Sequence, residues 1–283
     1  APAMTEHQLS IAIDELLVER NPRQKQVARA ALEPGYYLRA AQYLQDIRGN
    51  VVIGTGFPVT STFETDGPVG AIALYDTLAT LGARPLLACG PPLSDSLKDD
   101  YRVLELTASD LEAARRQAEQ QIATLQPSAV VSIERPGLAA DNRYYNMRGE
   151  DITERCAFFD PFINAASCPT IAIGDGGNEI GMGNIIQAIA GLDIKPAVTG
   201  CDELLVADVS NWGAYGVIAI LASWSGQDLL AQVSPVDILD YLSARGSVDG
   251  VTRENTLTED GLEAEEGLRV IQQLRVLTGF LPD

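Results

Sequence analysis

The spacing of hydrophobic positions changes along this chain. Over the first fifty residues apolar side chains recur at helical intervals: Ile11, Ile13, Leu16 and Leu17, then Val27, Ala30, Ala31, Tyr37, Leu38, Ala41, Leu44 and Ile47. That spacing predicts two helices. Pro22 suits the first turn of the second, and Gly35 is a point at which it can break. From Val51 onward short β-branched runs alternate with amphipathic stretches, the pattern of βα units around a mainly parallel sheet. The expected strands are Val51–Ile53, Pro85–Ala88, Val103–Leu106, Ala129–Ile133, Thr170–Ile173 and Leu204–Ala207. Helices are expected over 68–82, 109–125, 152–166, 179–191, 212–224, 235–244 and 259–278. No repeat, low-complexity tract or linker interrupts the pattern. It predicts one α/β domain, a mainly parallel sheet flanked by helices, in which an N-terminal helical segment (1–49) packs beside a sheet-bearing catalytic core (50–283).

Composition narrows the class. With 283 residues, 46% of them hydrophobic, the chain can bury a large core. A mean hydropathy of +0.03, with no apolar run of about 18 residues, predicts a soluble protein without a membrane partner. Ala1-Pro2-Ala3-Met4 leads directly into polar, helix-like sequence and lacks the basic and apolar regions of a secretory signal. Cys89, Cys156, Cys168 and Cys201 are far apart and form no CxxC pair, which argues against a disulfide framework or a zinc site. A reducing compartment is expected: the cytoplasm, or the mitochondrial matrix in a eukaryote. The net charge of −19 is spread along the chain and would repel a phosphate backbone, so nucleic acid is not an expected partner. An anionic small molecule would need local Arg or Lys side chains.

The chemistry concentrates in loops that follow expected strands, where open α/β sheets bind ligands. The first runs Gly54-Thr55-Gly56-Phe57-Pro58-Val59 and on through Glu64, Asp66 and Gly67 to a helix. Its glycines let backbone amides approach a ligand, although Asp66 also reads as a plain helix cap. The second carries Asn146 and three arginines, Arg135, Arg143 and Arg148, which are candidate clamps for a carboxylate or, alternatively, partners of Glu134, Asp141 or Glu150. The third, Gly174-Asp175-Gly176-Gly177-Asn178-Glu179-Ile180-Gly181-Met182-Gly183, matches neither GxGxxG nor a P-loop. Its two acids and amide among glycines suit a metal ion, an ammonium group or proton transfer. A fourth loop offers Asp208, Ser210 and Asn211, with capping of the next helix as the expected role of the last two. The single histidine, His7, lies in the N-terminal helix, so acid–base work falls to carboxylates, Lys or Tyr.

Taken in order, GTGFPV, ETDGP, ERPG, YYNMRGEDIT and GDGGNEIGMGN resemble the D-glutamate cyclase family, including the C-terminal domain of the mitochondrial D-glutamate cyclases. The likeness runs from Val51 to Trp212, and the tail around Asp249-Gly250-Val251-Thr252 is compatible with it. It implies an α/β fold and a lyase that converts D-glutamate to 5-oxo-D-proline with loss of water. Lactam formation needs a neutral α-amine, an electrophilic γ-carboxyl group and a protonated departing oxygen. Asp175 or Glu179 is expected to take the amine proton, Glu64 or Asp66 to face it, and Arg148 or Arg143 to hold the α-carboxylate. The Gly176 and Gly177 amides would meet a developing oxyanion. Arg135, Asn146, Gly54, Thr55, Gly56 and Asn178 complete the expected substrate-binding set. No cofactor is certain; an Mg or Mn ion on Asp175, Glu179 and Glu64 is an alternative source of polarisation. The competing readings are a metal-dependent hydrolase or lyase acting on another small amino acid or lactam, and a non-catalytic protein that binds an acidic metabolite. The expected partner is a small acidic amino acid, and a homo-oligomer is compatible with the sequence.

Overall fold

Valine and isoleucine runs pair side by side into one sheet because β-branched side chains pack well on a pleated surface. A computed structural model describes residues 4–23 and 25–283. Its strands are β1 (Asn50–Thr55), β2 (Pro58–Val59), β3 (Thr62–Phe63), β4 (Arg84–Cys89), β5 (Val103–Glu105), β6 (Ala129–Ile133), β7 (Thr170–Gly174), β8 (Glu203–Val206), β9 (Thr258–Glu259) and β10 (Leu262–Glu263). The six longer ones form a parallel sheet in the order β5-β4-β1-β6-β7-β8, while β2 with β3 and β9 with β10 make two short antiparallel ribbons. Winding therefore runs outward from β1 in one direction and from β6 in the other. Between their carboxyl ends the loops diverge and leave a crevice.

The helices are α1 (Glu6–Leu17), α2 (Lys25–Ala30), α3 (Tyr36–Leu44), α4 (Pro68–Thr80), α5 (Leu93–Leu97), α6 (Leu111–Leu125), α7 (Asp160–Ala165), α8 (Ile186–Ile189), α9 (Ser210–Ser225), α10 (Pro235–Ser243) and α11 (Ala264–Leu277). Thr55, Ile133 and Ile173 stand in register and share one face of the sheet. Against that face lies α9, buried from Ser210 to Ala222 and apolar all round, as a fully enclosed helix must be. The opposite face, one residue out of register, receives Phe159 on Gly54. Helix α3 packs on α9 and β8, and the Tyr37 hydroxyl donates to Val206 O at 2.9 Å. Among the described residues no helix is long and apolar enough to cross a membrane.

All six expected strands form, and three helices differ from the reading of the sequence. The stretch 152–166 is a 3-10 turn (Thr153–Arg155), an extended Cys156 and the short α7, whose start is fixed by Pro161. Over 179–191 helix begins only at Met182, because Glu179 pairs with Pro136 and Gly181 takes φ +99°. The stretch 259–278 opens with the β9–β10 turn, pinned by the Gly261 amide donating to Asp249. At the N-terminus three helices replace two, with the break at Gly35.

Candidate active site

The carboxyl ends of the central strands bring six carboxylates together. Glu64 and Asp66 follow β3, Glu134 is the first residue after β6, Asp175 is the first after β7, Glu179 lies four residues on, and Asp260 tips the β9–β10 turn. Carboxylate oxygens approach within 4.8 Å of one another in three overlapping trios: Glu64, Asp66 and Glu134; Asp66, Asp175 and Asp260; Glu134, Asp175 and Glu179. Glu64, Glu134, Asp175 and Asp260 line a cavity of about 360 Å³, large enough for a small amino acid. Arg23, Arg148, Arg155 and Arg253 line the same cavity and supply its positive charge.

Each acid has a different anchor. Asp66 accepts the Ser210 and Asn211 amides, at 3.3 and 3.0 Å, and so caps the N-terminus of α9. Asn211 returns the contact, its Oδ1 accepting the Gly67 and Gly70 amides of α4 at 2.8 Å each. Two helices that start at the site therefore cap one another, which corrects the expectation that Asp66, Ser210 and Asn211 cap their own. Glu179 folds back on its loop: Oε2 accepts the Asp175 and Gly176 amides at 2.7 and 2.8 Å, and Oε1 the Gly177 amide at 2.6 Å. The loop can present these amides because Gly177 takes φ +115°, a region that L side chains avoid. The Gly176 and Gly177 amides are thus engaged by Glu179 rather than open to an oxyanion. Glu134, at φ +50°, accepts the Ser210 hydroxyl at 3.0 Å. Asp260 is paired with Arg23 at 2.5 Å. Among the described residues no donor reaches one buried oxygen of Asp175, Oδ2.

Burial and mutual repulsion set the protonation of this cluster. Burial first, then the Asp175 charge, push Glu64, Asp66 and Glu134 well above the usual carboxylate range. Asp175 is raised by burial although Asp66 and Arg23 oppose the shift, and Asp260 is raised by burial and by Asp175. Glu179 moves the other way: burial opposes its charge, but hydrogen bonds from Glu134 and from the Asp175 and Gly177 amides outweigh it. Because the oxygens of each trio lie within 4.8 Å of one another, ionisation of one carboxyl group disfavours that of its neighbours. Behind the cluster, burial lifts Glu259 from 4.5 to about 7.

A pH prediction follows from these directions. A carboxyl group raised on folding contributes stability that is complete below its unfolded pKa and is lost as pH rises through the folded one. Raised groups outnumber Glu179, so the melting temperature of the ion-free protein should fall as pH rises from about 4.5 to 7, the window of Glu259. Differential scanning calorimetry at fixed ionic strength reads this; a midpoint that climbs over the same window would show the cluster to be ionised and compensated.

The D-glutamate cyclase-like, C-terminal family matches this chain over residues 13–275. The chain belongs to that family. Human mitochondrial D-glutamate cyclase is 32% identical to it over 213 residues, which cover 65% of this chain and 34% of the human protein. The chain thus spans about a third of that relative's length. A solved exopolyphosphatase-related protein from Bacteroides fragilis is 7% identical, with a TM-score of 0.43 over 89% of this chain and 62% of the other.

The family motifs lie at the cavity to different degrees. Asn146, Arg148, Asn178, Asp175 and Glu64 line it. Asn178 Nδ2 is tied to Tyr145 O at 3.0 Å. Arg143 is not a lining residue, being engaged by Asp151 and by Glu154 at 3.9 Å on the half-exposed side of its loop. Gly54 is packed under Phe159, and the Thr55 hydroxyl is spent on Ile133 O at 2.9 Å. Gly56 and Arg135 line a smaller cavity next door. The expected ligand set Asp175, Glu179 and Glu64 is split between trios, with Glu134 joining them. Glu134, Asp260 and Arg23 had no role at the site in the sequence reading, and neither did Lys25, which is fully buried and whose Nζ has no partner among the described residues.

Gly250 explains one feature of the cyclase-like tail. A Cβ at Gly250 would overlap the Glu64 carboxylate, so Gly250→Ala should push that group out of the cluster. The atom met is the end of a flexible side chain, and the fold should survive. We expect turnover to fall by roughly a hundredfold, the cost of a misplaced reacting group, with little change in melting temperature. Steady-state kinetics with thermal melts checks it.

Proposed function

We propose that this chain cyclises D-glutamate to 5-oxo-D-proline with release of water. Family membership supports the substrate class, and the observation that carries the reading is the cluster of buried carboxyl groups, raised toward neutrality by burial and by one another, at a cavity of amino-acid size. The reaction moves two protons from the substrate ammonium to the departing γ-oxygen, while nitrogen bonds to the γ-carbon and one C–O bond breaks. No net proton is gained or lost. The site must relay protons rather than supply them, and carboxyl groups raised toward neutrality suit that task.

Asp175 takes the first role. Its Oδ2 is buried and lacks a donor, and an ammonium group entering the cavity supplies one. Glu64, which lines the cavity and is raised well above the usual range, carries a proton that can pass to the departing oxygen; Asp66, raised likewise, does not line the cavity and stands behind Asp175 at the cap of α9. Arg148 and Arg155 line the cavity and would hold the substrate carboxylates; Arg155 is oriented by its Nη1 bond to Thr60 O at 2.8 Å. Glu179, locked by three amides, holds the loop that carries Asp175.

The donor set also fits an Mg or Mn ion. It consists of hard carboxylate oxygens without sulfur or imidazole, and Asp175 Oδ2 is unclaimed. Glu134, Asp175 and Glu179 would hold such an ion, with Glu64 reaching it through the adjoining trio. When bound, it would polarise the γ-carboxyl group and offset the crowded negative charge.

Purified protein incubated with D-glutamate or L-glutamate, with Mg or Mn and after exhaustive chelation, tests the reading when 5-oxoproline is followed by NMR. Product from the D form alone is expected, with loss on chelation and recovery on adding either ion. Absence of product under every condition would remove the cyclase reading, and full activity after chelation would remove the ion.

A further inference from the structure

Arg135 is a buried cation without a counter-ion. It is 3% exposed, and among the described residues no ion pair neutralises it. Its Nη2 donates to Ala157 O at 2.5 Å and its Nη1 to Gly56 O at 3.5 Å, while the guanidinium carbon sits 5.6 Å from the centre of the Phe159 ring. Nε, equally buried, has no partner among the described residues. Two carbonyl dipoles and a ring face do not replace a negative charge, and an uncompensated buried charge is among the costliest groups a fold can hold.

Beside it lies a cavity of about 40 Å³, lined by Arg135 together with Thr55, Gly56, Cys89, Cys156 and Ala157. A water needs roughly 10–15 Å³ of such space, so this cavity holds a few waters or one compact ion and excludes a whole amino acid. Its lining carries no carboxylate. The two thiols do not supply the charge either, because burial pushes both up to about 12 despite the opposing pull of Arg135. Arg155 lines this cavity as well as the larger one, as do Phe57 and Pro58, so the two spaces share a wall.

We propose that this cavity is a binding site for a compact, singly charged anion that neutralises Arg135. Two sources share that chemistry: a free halide, or the carboxylate end of a molecule seated in the larger cavity. The inference stands apart from the cyclase reading, since it is tested by binding alone. A crystal soaked in bromide should show an anomalous peak in this cavity, beside the Arg135 guanidinium. In solution, bromide should raise the melting temperature by roughly 3 °C per tenfold concentration above its dissociation constant, while gluconate at equal ionic strength should not.

Arg135→Met should abolish the bromide-specific rise. Cys156→Met, which keeps Arg135 and fills the cavity, should do the same and guards against misfolding of the first variant. Titration of bromide in the presence of D-glutamate separates the sources: a competitive loss of bromide binding assigns the site to a substrate carboxylate, and undisturbed binding assigns it to a free ion. Equal melting in bromide and gluconate with bromide only at surface sites, or a bromide response that survives in both variants, would overturn the proposal.

Discussion

Asp175→Asn is expected to lower turnover of D-glutamate by roughly a thousandfold, within the range for removal of an acid–base group, and to leave the melting temperature unchanged or higher. The asymmetry comes from the cluster. Asp175 is raised by burial and in turn raises Glu64, Asp66, Glu134 and Asp260, so its charge costs stability at neutral pH. An amide of the same shape removes that repulsion. It also turns the free Oδ2 into a group that cannot accept the ammonium proton.

The contrast with Glu179 makes the prediction diagnostic. Glu179→Gln would set an amide NH₂ against backbone N–H groups that now find carboxylate oxygens at 2.6 to 2.8 Å. It should lose stability by about 2 kcal/mol as well as activity, because buried amides lose an acceptor. Kinetics and melts on the two variants separate base from scaffold. If Asp175→Asn keeps wild-type turnover, the base lies elsewhere; if it unfolds while Glu179→Gln does not, the two roles are exchanged.

The layout was readable because strand and helix periods are local. Val51–Ile53 and Ala129–Ile133 announce themselves by β-branching, and the loops after them follow from the fold class. Sheet order was not readable, and it alone places Glu64, Glu134 and Asp175 around one cavity. In sequence Glu134 stands beside Arg135, a ready ion-pair partner, yet its side chain joins acids that follow β3 and β7. Arg23 and Asp260 lie near opposite ends of the chain and meet only after folding. In the glycine-rich loop the composition was right and the geometry was not: an acid two to four residues from three free amides captured them itself. A dispersed charge of −19 gave no hint that six of its members converge.

Asn211→Ala should be the most destabilising of the polar substitutions, by about 3–5 kcal/mol, which corresponds to a fall in melting temperature on the order of 10 °C. Asn211 is wholly buried and its side chain makes four hydrogen bonds. Oδ1 accepts the Gly67 and Gly70 amides at 2.8 Å each, and Nδ2 donates to Thr65 O at 3.2 Å and to Glu259 Oε1 at 2.9 Å. Alanine strands two amides, a carbonyl and a carboxyl group in a space with few alternative donors. Activity should fall with stability, because the mutual capping of α4 and α9 also seats Asp66.

Asn211→Asp separates the loss of shape from the loss of donors. It preserves the acceptor for Gly67 and Gly70 but turns a second oxygen toward Thr65 O and Glu259, where only a protonated carboxyl group can still donate. Glu259 is lifted by burial to about 7, so two acids would face each other near neutrality. The deficit relative to wild type should therefore shrink as pH falls from about 7 toward 4.5, while that of Asn211→Ala stays nearly constant over the same window. Urea denaturation of both variants across that range measures it, and equal pH dependence in the two would show that packing rather than hydrogen bonding is what Asn211 contributes.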